Sequence, residues 1–242
     1  MMKNILLYIV ALAATAVPTT ARAVTLDDAH AAFAAGKYQE STADYQAVVD
    51  QQGYSAPVLF DLGNSFYREG NFPEAILAYK RALWLAPNDE DIMANLQAAQ
   101  RQAGSTVERA PRYTKVTGIL SVNGWAWTGC IAWTLLCTSL LLRVLLPAQR
   151  GLFSTAGVAC ALVLAGAIAA IILSAGGLRE AVVVDKNPAA LISPFPAAQS
   201  VFTPVPGDTV RIEKAYNDFL LIADGAGHSG WMAKNQLAPV VR

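Results

Sequence analysis

The sequence predicts a multidomain membrane protein in which an all-α repeat array, a two-helix transmembrane hairpin and a small all-β domain follow one another. Three observations predict this fold class. A helical pattern recurs with a period of about 34 residues in the first part of the chain. Two long apolar runs follow it. Beyond them, apolar and polar residues alternate between turns rich in proline and glycine.

The composition supports a membrane protein and limits the chemistry. Hydrophobic residues make up 54% of the chain, and the mean hydropathy is +0.35. Only 15% of residues are charged, against about 25% in an ordinary soluble domain. The formal net charge is +0 and there is no basic block, so nucleic acid is not predicted as a partner. The three cysteines, Cys130, Cys137 and Cys160, all lie in apolar runs, which predicts no disulfide framework.

Residues 1–23 are typical of a secretory signal peptide. Lys3 supplies the positive charge, residues 5–16 are apolar but too short to span a bilayer comfortably, and a small-x-small cleavage site ends at Ala23. An uncleaved N-terminal anchor is the alternative. In both cases we expect the following residues to be delivered across the membrane.

The repeat array is predicted over residues 24–103. Residues 56–89 resemble one tetratricopeptide repeat, with the signature residues Leu59, Leu62, Gly63, Phe66, Ala75, Tyr79, Ala82 and Pro87. Gly63 and Ala75 allow two antiparallel helices to approach closely, and Pro87 ends the second helix. A shift back by about 34 residues aligns Gly36 with Gly70 and predicts a degenerate repeat, while a shift forward predicts a polar capping helix.

Such an array forms a concave groove lined by the first helix of each pair, and in this repeat family the groove commonly holds a peptide. By position, the predicted groove residues are Phe60, Asn64, Tyr67, Arg68, His30, Phe33 and Arg101. Asn and Arg can hold peptide backbone or a carboxylate. The alternative is a solvated helix face without a ligand. No metal site is predicted, because the only other histidine, His228, lies in a different domain.

A linker at 104–123 leads to two predicted spans, at 124–146 and 152–176, joined by a loop at 147–151. Pro147 and Gly151 are expected to break the helix. Arg143 and Arg150 flank the loop, which the positive-inside rule places in the cytoplasm. The spans contain no acidic residue or histidine, which argues against a transporter. Small residues recur every four positions on the second span, and we expect them to pack on the first: Gly157, Ala161, Ala165 and Ala169.

Residues 180–242 resemble the bacterial SH3-like domain, an all-β barrel. The resemblance rests on Ser193-Pro194, on Gly207-Asp208 before an alternating strand, and on Gly230-Trp231 followed by Leu237. Trp231 and Leu237 are the predicted core residues. The resemblance implies binding of cell-wall peptides or of other proteins and leaves these two possibilities open.

The order of segments resembles the BatE-type proteins of the Bat aerotolerance family. The resemblance implies a non-enzymatic scaffold in the inner membrane with both soluble domains in the periplasm. It further implies partners that are membrane proteins with von Willebrand factor A domains, encoded with MoxR-type ATPases. We found no phosphate-binding loop and no H-x-x-x-H motif, so no catalytic residue and no cofactor are predicted. Two alternatives stay open: an anchored module that binds peptidoglycan through the SH3-like domain, and an accessory subunit of a wall hydrolase or exporter.

Overall fold

The computed structural model describes residues 24–107, 119–120, 122–174 and 179–241. The predicted signal peptide and most of the predicted linker lie outside the described residues. Within them, five helices form an array, two long apolar helices form a hairpin, and seven strands form one sheet.

The helices of the array are antiparallel neighbours joined by short turns. They are α1 (Leu26–Ala34), α2 (Tyr38–Gln52), α3 (Ala56–Glu69), α4 (Phe72–Leu85) and α5 (Glu90–Ala103). Thr25 starts α1 with a capping box to Asp28, and the Asp89 carboxylate caps α5. Gly70 and Gly104 end α3 and α5 in the left-handed conformation that glycine adopts without strain. The array therefore has two helix pairs and a final single helix.

The hairpin consists of α6 (Val122–Leu145) and α7 (Arg150–Ser174), separated by a single turn of 3-10 helix at Pro147–Gln149. Both helices are long and apolar enough to cross a membrane by length and composition. The expectation that Gly151 breaks the helix is wrong. The helix is interrupted before Arg150, and Gly151 lies inside α7.

The small-residue stripe of α7 does not pack as expected. Gly157 is buried, and a Cβ there would lie 2.9 Å from Ser139 Oγ of α6, but Ala161, Ala165 and Ala169 are exposed. Ala167 and Ala170 are buried in their place. An α-helix turns 100° per residue, so positions four apart drift about 40° around the helix at each step. Residues that contact a straight neighbouring helix are instead spaced alternately three and four positions apart.

The C-terminal strands form an antiparallel sheet in the order β3-β2-β6-β5-β4-β1-β7. The strands are β1 (Glu180–Val183), β2 (Ala190–Leu191), β3 (Ser200–Phe202), β4 (Thr209–Tyr216), β5 (Phe219–Ala223), β6 (Ser229–Ala233) and β7 (Leu237–Pro239). The prediction of short strands is confirmed. The hydrogen-bonded ladder is not closed into a barrel, because β3 and β7 stand at opposite edges. The SH3-like assignment therefore stays a prediction.

The sheet packs directly on the repeat array, which the linear order of domains does not suggest. Successive side chains of a strand point to opposite faces. Ala181 and Val183 of β1 accordingly join the core of the sheet, while Val182 joins the core of the repeats together with Val240. The two soluble parts share a hydrophobic core and form one unit.

Polar contacts fix this docking on the outer side of α4. Lys80 Nζ lies 2.9 Å from Glu180 Oε2 and donates to Thr209 Oγ1 at 3.0 Å. Arg81 donates to the carbonyl oxygens of Pro239 at 2.9 Å and of Val240 at 3.3 Å. Those two carbonyls lie at the outer edge of the sheet, so α4 covers the edge strand β7.

A glycine turn completes the contact. Gly207 has φ +93°, and a Cβ there would lie 2.8 Å from Ile76 Cδ1 in α4. The neighbouring Asp208 accepts a hydrogen bond from the backbone N–H of Thr106, just beyond α5. The Gly207-Asp208 turn before β4 therefore also holds the sheet against the repeats.

Candidate peptide-binding groove

A pocket of about 240 Å³ opens on the inner side of the repeat array. Residues from four helices line it: Phe33, Asn64, Tyr67, Arg68, Tyr79, Asn95 and Ala98. Phe33 comes from α1, the next three from α3, Tyr79 from α4, and the last two from α5. The first helix of each pair and the final helix thus contribute to one concavity.

Asn64 is the centre of the polar network in this pocket. Its Oδ1 accepts hydrogen bonds from Tyr79 Oη at 2.8 Å and from Asn95 Nδ2 at 2.9 Å. These two hydrogen bonds orient the Asn64 side chain. Its NH₂ group has no hydrogen-bond acceptor among the described residues and is available to a ligand.

Burial keeps the Tyr79 hydroxyl protonated. Loss of solvent raises the pKa of Tyr79 well above its ordinary value, and the nearby Tyr67 and Asp61 raise it further. The nearby Asn95 amide lowers the pKa of Tyr79 but is outweighed by these effects. Tyr79 therefore remains a donor to Asn64 over the whole physiological pH range.

Aromatic side chains hold the rest of the pocket. The guanidinium of Arg68 lies 4.6 Å from the centre of the Tyr38 ring, which supports the cation by its π-face. Tyr67 meets Phe72 edge to face at 5.5 Å, and Phe33 meets Tyr38 in the same way. Among the residues that the structure describes, Arg68 is the one charged side chain that lines the pocket. The pocket therefore offers hydrogen-bond donors and a positive charge on an aromatic frame.

Three of the predicted groove residues lie outside this pocket. His30 lies beside it, with Nε2 3.3 Å from Asp61 Oδ2 and its ring against Tyr45. Phe60 is half-buried, with its ring centre 6.0 Å from that of Tyr79. Arg101 is exposed near the end of α5. Phe33, Asn64, Tyr67 and Arg68 are the predicted residues that the fold brings together.

Sequence reasoning missed two members of the pocket, Tyr79 and Asn95. The sequence places Tyr79 in the repeat signature alone, because a tyrosine at that position packs on the first helix of its pair. Its hydroxyl nevertheless reaches Asn64. One repeat period of about 34 residues carries Asn64 to Ala98, and Asn95 lies about one helical turn before Ala98 on the same helix face, which is the signal that would have identified it.

The signature residues are in the repeat core or at its border. Leu59, Leu62, Gly63, Ala75, Tyr79 and Ala82 are buried, while Phe66 and Pro87 are half-buried. In the sheet, Leu237 is buried with 6% of its surface exposed. Trp231 is only partly buried and meets Tyr216 edge to face at 6.4 Å. The fully buried neighbour of Trp231 is Met232.

Comparison with known proteins supports the class of the array. The family-level pattern of the tetratricopeptide repeat matches residues 56–89, which are α3, α4 and the turn after them. This repeat is typically a non-catalytic module for protein–protein interaction. No curated protein matches the chain. In the described part of the chain, no cluster of three or more His, Cys, Asp or Glu side chains is placed to hold a metal ion.

Proposed function

We propose that this protein is a non-enzymatic, membrane-anchored scaffold that binds a segment of a partner protein in the pocket of its repeat array. One observation carries the proposal: the free NH₂ of Asn64 and the guanidinium of Arg68 line the same pocket, and none of the described residues that line it is acidic. Such a site favours a ligand that supplies hydrogen-bond acceptors.

The chemistry of the lining supports a peptide as the ligand. A backbone carbonyl or a chain-terminal carboxylate would accept hydrogen bonds from Asn64 and Arg68, and the charge of Arg68 strengthens the second case. Phe33, Tyr67 and Ala98 would contact the apolar side chains beside it. The volume of about 240 Å³ suits one or two side chains rather than a folded domain.

The resemblance to the BatE-type proteins extends the proposal to partners and location. The partners would be membrane proteins with von Willebrand factor A domains, working with MoxR-type ATPases in aerotolerance or stress. The chain would sit in the inner membrane with both soluble parts in the periplasm. The two apolar helices and the mutual packing of the soluble parts support this arrangement.

A second candidate function places the binding site on the C-terminal sheet. Tyr216 has half of its surface exposed and lies against the partly exposed Trp231. Paired aromatic rings on a small β domain are a surface that could hold a peptide or sugar of the cell wall. In that case the protein would be a membrane-anchored module that binds the cell wall through its SH3-like domain.

The experiment is crosslinking from inside the pocket of the full-length protein in cells. A photoreactive amino acid replaces Ala98, which lines the pocket, and Gln102, which lies one turn further along α5 outside it. We expect membrane proteins with von Willebrand factor A domains to be recovered by mass spectrometry from the first position only. No protein above background from Ala98, together with capture of peptidoglycan fragments from a photoreactive residue at Tyr216, would move the site to the sheet.

Two matched double variants test whether the hydrogen-bond donors of Asn64 and Arg68 bind the partner. Asn64→Ala with Arg68→Ala removes one amide and one guanidinium, and we expect partner binding to weaken by about 10- to 100-fold. Arg101→Ala with Gln102→Ala removes the same two types of group from the exposed end of α5. If both double variants weaken binding equally at unchanged thermal stability, the pocket is not the binding site.

A further inference from the structure

The turn between β2 and β3 presents an apolar surface that nothing in the described structure covers. Ile192, Phe195 and Val201 have 68%, 60% and 53% of their surface exposed. Residues 187–207 contain no Asp, Glu, Lys or Arg at all. Large apolar side chains grouped on a surface without charges mark a site of contact with another molecule or with a membrane.

The length of the chain identifies the membrane as the surface within reach. α7 ends at Ser174 and β1 begins at Glu180. Six residue steps span at most about 20 Å, even when fully extended. The 25 residues of α7 exceed what is needed to cross the hydrocarbon, so Ser174 emerges at the headgroup level. The first residue of the sheet is therefore held close to the bilayer surface.

The register of the sheet places the apolar surface at the same end of the strands as Glu180, where the chain from α7 enters the sheet. Glu180 pairs with Arg211, Arg211 with Ala223, and Ala223 with Ser229, which makes one row across four strands. β2 runs antiparallel to β6, with Leu191 opposite Trp231, so the chain beyond Leu191 continues toward the row of Ser229. The Phe202 ring of β3 also lies 5.6 Å from the ring of His228, just before Ser229.

We propose that the β2–β3 turn, through Ile192 and Phe195 together with Val201 of β3, rests on the bilayer interface beside the transmembrane hairpin. The inference rests on the membrane anchoring in the proposed function and not on the groove. Partial insertion of phenylalanine and aliphatic side chains at the headgroup level is favourable, and charged side chains are absent from the segment that would enter. The free edge of β3 remains hydrated at this depth, so its peptide groups find hydrogen-bond partners.

This contact would orient the soluble unit. The sheet is fixed to α4 through Lys80 and Arg81, so a sheet that rests on the bilayer also sets the direction in which the repeat pocket opens. A single covalent connection between α7 and β1 could not do so alone. The partner recognised by the repeats would then be met at a defined height above the membrane.

The test is site-directed spin labelling of the full-length protein in lipid vesicles, with Cys130, Cys137 and Cys160 replaced by Ala. A label at Phe195→Cys should collide with oxygen several-fold more often, relative to a water-soluble nickel chelate, than a label at Tyr216→Cys. Tyr216 is the matched control, since it is 50% exposed but lies at the opposite end of the sheet. Its strand partner there is Phe219, which in turn pairs with Ala233. A label at Leu162→Cys, on the exposed face of α7, reports whether the hairpin itself lies in lipid.

Two outcomes would overturn the inference. Equal access of the nickel chelate to sites 195 and 216 would show that the turn is in water, and a label shielded from both reagents would show a protein partner instead. If Leu162→Cys reports lipid while site 195 reports water, anchoring holds and only the inference fails. Should the cysteine-free background fold poorly, Phe195→Trp in the native background gives the same answer once the fluorescence of the native protein, which has five tryptophans, is subtracted so that the added indole alone is measured. Its fluorescence should be quenched by lipids brominated near the headgroup.

Discussion

At the scale of single residues, Gly63 decides how closely α3 and α4 can pack. A Cβ at this position would lie 2.6 Å from Cε1 and 2.7 Å from Cδ1 of Tyr79. The Tyr79 ring is buried, and its hydroxyl is bound to Asn64, so it has little freedom to move away. The same tyrosine therefore links the packing of the helix pair to the geometry of the pocket.

We expect Gly63→Ala to destabilise the repeat array by about 1–3 kcal/mol, because the added methyl group over-packs the helix contact. The measurement is thermal unfolding of the full-length protein followed by circular dichroism at 222 nm. Gly151→Ala is the control, since Gly151 is also helical but has nothing within 4 Å of an added Cβ. A melting temperature unchanged in Gly63→Ala would contradict the close contact with Tyr79.

At the scale of elements, α4 is the helix that joins the repeat array to the sheet. Its residues 75–80 are all buried, including Lys80. One side contacts α3 and α5, and the other contacts β1 and the edge strand β7. A helix that is buried on every side needs partners on every side, and the sheet supplies the second set.

Arg81→Ala removes the two hydrogen bonds to the Pro239 and Val240 carbonyls and should weaken the docking of β7 by about 1–3 kcal/mol. The expected result is faster hydrogen exchange at the backbone amide of Val240, which bonds to the Glu180 carbonyl. Amides of β5, in the middle of the sheet, should be unaffected.

Lys37→Ala is the matched control for this experiment, because Lys37 is a cation whose ion pair with Glu40 is exposed and distant from the sheet. If Lys37→Ala and Arg81→Ala change exchange at Val240 equally, the effect arises from net charge and not from the docking contacts.

At the scale of the whole molecule, the shared core has a consequence for topology. Val182 and Val240 pack among the repeat residues, so the two soluble parts must lie on the same side of any membrane that the hairpin crosses. An even number of spans between them satisfies this condition. The packing and the pair of apolar helices are therefore mutually consistent.

We expect single cysteines at the exposed positions Gln51 and Asp218 to react with a membrane-impermeant maleimide from the same side of sealed vesicles. A cysteine at Ala148, in the turn between α6 and α7, should react only from the other side or after the vesicles are opened. Opposite sidedness of Gln51 and Asp218 would rule out the joint core.

The resemblance to a tetratricopeptide repeat could be read from the sequence because its signals are local. Gly63, Tyr79 and the left-handed glycines at Gly70 and Gly104 act through neighbours within a few residues or one repeat period. The apolar runs and the alternating strands are local in the same sense. Four of the seven predicted groove residues line the pocket because the repeat period itself sets which face of each helix points inward.

The sequence by itself thus determined the repeat helices, the two apolar helices and the short strands of this protein. Only the tertiary structure decided that the sheet stays open, that α4 joins it to the repeats, and that Tyr79 and Asn95 complete the pocket. The physical reason is that these features depend on contacts between distant segments. The sequence of α4, apolar on all sides around Ile76, shows that a second partner is needed, but only the folded chain shows that β1 and β7 supply it.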